Sequence, residues 1–88
     1  MLIEWDATKA AANLRKHRVS FDEAATSLLD PLALVQEDDS ATGEVRWVLM
    51  GMSSGARLLT VIYTLRAENR IRLISARKAT RRETASYA

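Results

Sequence analysis

A change of character at Asp30-Pro31 constrains this chain more than any other feature. Ahead of it the chain is alanine-rich and carries helix-capping residues. Beyond it the apolar residues alternate or run together as they do in strands. A residue before proline avoids the αR region, so a helix arriving from the N-terminal side has to stop here. Asp6 is suited to cap an alanine-rich run at 7–17 with high helix propensity, and residues 2–5 ahead of it read as a short strand. Arg18-Val19 breaks that run. Ser20-Phe21-Asp22-Glu23 then fits a capping box, in which Ser20 accepts from the Glu23 N–H and Glu23 reaches back to Ser20. A second, shorter helix is expected to run from there to about residue 29.

After Pro31 the expected strands are 32–36, 45–50, 58–64 and 71–76, and residues 77–87 return to helix character. Segment 58–64 is almost entirely apolar, β-branched or aromatic, as a central strand would be. Residues 37–44 read as an acidic loop, with turns at 51–55 and 67–69. Turns this short require antiparallel neighbours. The expected fold class is therefore α+β, a small antiparallel sheet with helices packed on one face, in the order β-α-α-β-β-β-β-α. A length of 88 residues fits a single domain over 1–88.

Composition removes several chemistries. With no cysteine and one histidine, disulfides, thiol nucleophiles and thiolate metal sites are excluded, and almost nothing is left for a zinc cage. Asp38-Asp39 reads as part of a solvated loop, so neither a metal nor a cofactor is expected. No apolar stretch is long enough to span a bilayer, and Met1 leads into a strand-like segment. A cytoplasmic location without membrane contact is the expectation. Charge is divided along the chain. Residues 1–44 hold four basic and nine acidic groups, residues 45–88 nine basic and two acidic, and ten of the 13 cations are arginine. Such asymmetry points to a polyanionic partner, and arginine suits bidentate phosphate contacts.

Three constellations carry the chemistry. Arg77-Lys78-Ala79-Thr80-Arg81-Arg82 places four cations where a strand is expected to pass into a helix. Cations in a first helical turn oppose the macrodipole, and Arg77 and Arg81, four apart on a helix, repel each other. A phosphate relieves both costs. The plain alternative is a solvated basic helix balanced in part by Glu83. Arg66, Arg70 and Arg72 gather around one turn, either for an anion or as charges that protect a sheet edge. His17, as the one imidazole of the chain, is a general acid or base by default, or else a helix-end cap. Lys9, Asn13, Lys16 and His17 share one helical face, which by its polarity turns to solvent, a partner or RNA.

Trp5-Asp6, Lys9, Asn13, Lys16-His17, Val19-Ser20-Phe21 and Ala24 resemble the N-terminal signature of the BrnT-type toxins. Ile71-Arg72-Leu73-Ile74-Ser75-Ala76-Arg77-Lys78-Ala79-Thr80-Arg81-Arg82-Glu83 with Tyr87 resembles that family's C-terminal signature, and Tyr63-Thr64-Leu65-Arg66 fits its central strand. The resemblance implies a RelE-like fold and the toxin half of a type II toxin–antitoxin pair, acting as a metal-independent endoribonuclease that halts translation and growth. It also implies a BrnA-type antitoxin partner in a hetero-oligomer, with DNA contacted only indirectly through that antitoxin. On the matched positions, Arg77 and Arg81 would meet the scissile phosphate. Arg66, Arg72, Lys78 and Arg82 would hold the RNA backbone, and Lys9 or His17 would orient groups or move protons. Tyr87 would stack a base, donate a proton or dock the last helix. The family usually has glycine after Lys-His where this chain has Arg18, a helix-end position suited to the left-handed conformation. The rival reading is a non-catalytic basic module that only binds a partner protein or nucleic acid.

Overall fold

The Asp6 side chain accepts a hydrogen bond from the Lys9 N–H at 2.9 Å and starts the first helix, as its residue type requires. In the computed structural model, which describes residues 1–39 and 43–87, the elements follow the expected order. They are β1 (Leu2–Glu4), α1 (Ala7–His17), α2 (Phe21–Ser27), β2 (Leu34–Asp38), β3 (Arg46–Met52), β4 (Leu58–Ala67), β5 (Arg70–Lys78) and α3 (Arg81–Ser86). The acidic segment at 37–44 is partly strand, since Glu37 and Asp38 end β2, and its residues 40–42 lie outside the described ones.

The five strands form one sheet in the order β1-β5-β4-β3-β2. The hairpin-linked strands β2 to β5 are antiparallel, as their short turns demand. β1 pairs with β5 in parallel, Leu2 opposite Arg70 and Glu4 opposite Arg72. No tight turn joins these two strands, so nothing forces antiparallel pairing on them.

Alternation assigns the two faces. Leu59 and Val61 of β4 and Ile71, Leu73 and Ala76 of β5 meet Val19, Phe21 and Ala24 beneath α1 and α2. Trp5 packs edge-to-face on Phe21, ring centres 6.0 Å apart. A register irregularity in the β4–β5 ladder leaves Ile74 unpaired, so Leu73 and Ala76, three apart, both reach this core. The same irregularity puts Arg72 and Arg77, five apart, together on the opposite face with Thr60, Ile62 and Thr64. α3 belongs to that opposite face, through Glu83 to Thr60, so the helices are not all on one side of the sheet.

Two local readings change. The Ser20 hydroxyl caps the Glu23 N–H at 3.0 Å, but the Glu23 carboxylate goes to Arg57 Nε at 2.9 Å and also accepts from Ser53 Oγ. An ion pair to a distant strand end outcompetes the reach back to Ser20. Asn13 is buried, only 6% exposed, rather than part of a solvent-facing stripe. Its amide donates to the carbonyls of Val19 (2.9 Å) and Ala76 (2.8 Å) and accepts from the Ala76 N–H (3.1 Å). An amide can satisfy both a C=O and an N–H of a strand from inside a core, which the ammonium groups of Lys9 and Lys16 cannot do.

Candidate active site

Because Ala76 is held inward under Asn13, the next residue of β5, Arg77, emerges on the open face. Arg77 lies on the strand, opposite Thr60, and α3 begins only at Arg81. The expected repulsion of Arg77 and Arg81 across one helical turn therefore does not arise. Strand pairing to β4 extends β5 past the point where local sequence suggests a helix.

Glu83 takes hold of Arg77 by both oxygens, with Nη1 to Oε1 at 2.7 Å and Nη2 to Oε2 at 2.9 Å. Oε1 also accepts from Thr60 Oγ1 at 3.0 Å and from the Thr80 N–H at 2.8 Å. The Thr80 hydroxyl in turn accepts from the Glu83 N–H at 3.1 Å, completing a capping box at the start of α3. These donors, Arg77 foremost, hold the Glu83 carboxyl down to about 2 against an ordinary 4.5. The same pairing raises the Arg77 guanidinium further above neutrality.

Glu4 performs a similar service at the sheet edge. It accepts from Arg72 Nη1 at 2.9 Å and pairs with Arg70 Nε at 3.2 Å. Arg66 is exposed beside the second irregularity of the β4–β5 ladder. Arg81 and Arg82 are exposed in the first turn of α3. The face opposite α1 and α2 thus carries both Arg72, across from Thr64, and Arg77, across from Thr60, with Arg81 and Arg82 on α3. Lys78, opposite Leu59, belongs to the α1 side. Lys9, exposed, and His17, half-buried, are on α1 itself, on the other side of β5 from Arg77.

Tyr87 closes the end of α3. Its hydroxyl donates to Asp30 Oδ2, and the Asp30 carboxylate also accepts the N–H groups of Met52 (2.7 Å) and Leu32 (2.9 Å). The Met52 N–H, then Tyr87, lower the Asp30 carboxyl, and the bond to Asp30 raises the Tyr87 phenol. The residues that sequence reasoning missed are these anchoring groups: Thr60, Asp30, Glu4, and Glu83 in its role as the partner of Arg77. One signal was available. Thr80-x-x-Glu83 repeats the capping spacing of Ser20-x-x-Glu23.

Among the described residues no three His, Cys, Asp or Glu side chains converge as metal ligands, and no helix is long and apolar enough to cross a membrane. The site thus defines a small five-stranded α+β domain with carboxylate-held arginines on the sheet face opposite α1 and α2. The family model described as "Ribonuclease toxin, BrnT, of type II toxin-antitoxin system" matches residues 5–83, and the chain belongs to that family. The crystal structure of the Brucella abortus ribonuclease toxin BrnT is similar to it at a TM-score of 0.73 and 25% identity, covering 92% of this chain and 99% of that one. No curated protein sequence matches the chain. Membership of a type II family brings with it a protein antitoxin as partner and ribonuclease activity as the family's function.

Proposed function

We propose that this chain is a metal-independent endoribonuclease toxin that inhibits translation and growth and is neutralised by a BrnA-type antitoxin. The observation that carries this reading is the two-oxygen hold of Glu83 on Arg77, on the sheet face that also carries Arg72. In metal-independent cleavage the ribose 2′-oxygen bonds to the adjacent phosphorus and the bond from phosphorus to the 5′-oxygen breaks. The 2′-hydroxyl proton passes to a base, and the leaving 5′-oxygen takes up a proton. The products are a 2′,3′-cyclic phosphate and a 5′-hydroxyl. The protein has to orient the hydroxyl and stabilise charge on the phosphoryl oxygens, and arginine supplies that second service directly.

Arg77 and Arg81 are assigned to the scissile phosphate, and Arg66, Arg72, Lys78 and Arg82 to the RNA backbone. Lys9 or His17 is assigned proton transfer or orientation, which, like the Lys78 contact, requires the RNA to reach past β5 to the α1 side. Tyr87, tied to Asp30, serves mainly to dock α3. The test is cleavage of RNA by purified protein in EDTA, with end-group analysis. Cyclic or 3′-phosphate ends in the presence of chelator are expected. Cleavage abolished by chelation and restored by Mg²⁺ defeats the mechanism. Binding without cleavage, in a folded protein that leaves growth unimpaired, favours the basic module instead.

A further inference from the structure

Glu83 does not occupy the whole of the Arg77 guanidinium. It takes the end edge, Nη1 and Nη2, while the second Nη1 hydrogen is directed to the Lys78 carbonyl at 3.2 Å. Neither Nε–H nor the second Nη2–H has an acceptor among the described residues, and those two donors form the other fork of the group. Glu83 is itself fixed from three elements: Thr60, 2% exposed, holds it from β4, Arg77 from β5 and the Thr80 N–H at the start of α3. A carboxylate placed merely to balance charge needs no such support.

We propose that Glu83 is a positioning residue, gripping Arg77 end-on so that its Nε/Nη2 edge is presented, already ordered, to two oxygens of an RNA phosphodiester. This rests on the reading of Arg77 as the residue that meets the scissile phosphate. An ordered fork loses less freedom when the transition state forms, so the benefit appears in turnover. The negative charge of Glu83 meanwhile opposes RNA binding in general.

Glu83→Gln keeps the shape and an acceptor for Thr80 but loses the charge and one of the two oxygens. We expect kcat to fall about 10–100-fold while KM stays level or drops. In an Arg77→Ala background the same change should have no further effect, which a structural role would not reproduce. Thr60→Val, which frees Glu83 without altering either charge, should lower kcat several-fold and stands in if Glu83→Gln fails to fold. An active Arg77→Ala enzyme overturns the active-site reading and this inference together. An inactive Arg77→Ala enzyme with undiminished kcat in Glu83→Gln, or in Thr60→Val, overturns this inference alone. A rise in kcat on Glu83→Gln makes the carboxylate a competitor of the phosphate and overturns it also.

Discussion

Arg18 holds φ 60 and ψ 31, the left-handed conformation expected for its helix-end position, and its N–H caps the Leu14 carbonyl at 2.9 Å. A residue with a Cβ pays about 1–2 kcal/mol there. Arg18→Gly removes that strain and adds unfolded-chain freedom, an offset of up to ~1 kcal/mol. A small net stabilisation in urea unfolding is expected, with cleavage little changed, since the Arg18 carbonyl still receives Arg57 Nη2. A marked loss of cleavage in the folded variant makes the Arg18 side chain an RNA contact. Glu83 governs a second residue-scale outcome. Its folded carboxyl sits at about 2 and its ordinary value is 4.5, so its stabilisation is complete above pH 4.5 and is lost as pH falls through about 2. The melting temperature should fall across that window, and less steeply in Glu83→Gln. Equal slopes in the two proteins exclude the carboxylate as the source.

Packing of the elements turns on a few close approaches. At Gly51 of β3 an added Cβ stands 2.6 Å from the Ser27 carbonyl oxygen and 3.1 Å from Leu49 Cδ2. Gly51→Ala therefore pushes the end of α2 off the sheet and should cost about 1–3 kcal/mol by denaturant titration. A variant of unchanged stability shows that α2 shifts freely. Sequence reads Gly51 as a turn residue, because glycine looks the same in a turn and beneath a helix. Where structure is local, reading succeeds: Asp6 and Ser20 cap the helices they precede, alternation finds β3, and an unbroken apolar run finds β4. It fails where a distant strand decides. Arg77 is strand because Thr60 pairs with it, and the unpaired Ile74 that sets Arg72 and Arg77 on the same face has no mark of its own in the sequence. Asn13 is polar by composition and internal by partnership. The arginines of the candidate face are therefore legible as residues, and most of the groups that hold them, Thr60 and Glu4 among them, are not.

At the scale of the molecule, the helices α1 and α2 claim one face of the sheet and leave the other to arginines and α3. Binding of RNA to such a face is governed by release of counterions, with a slope of about −0.7 in log affinity against log salt for each phosphate neutralised on a single strand. Arg72→Ala should make that slope shallower by about 0.7. An unchanged slope removes Arg72 from the contact surface.

A ribosome delivers β1 long before its partner β5. Leu2 cannot find Arg70, nor Glu4 find Arg72, until β5 has been made. At the usual ~5–20 residues per second that is a wait on the order of ten seconds. Asn13 likewise waits for Ala76. The nascent chain thus carries helices and a growing meander, but no assembled arginine face. For a chain of a ribonuclease toxin family, threading β1 beside β5 works as a timer: the arginine face is assembled only once β5 has been made.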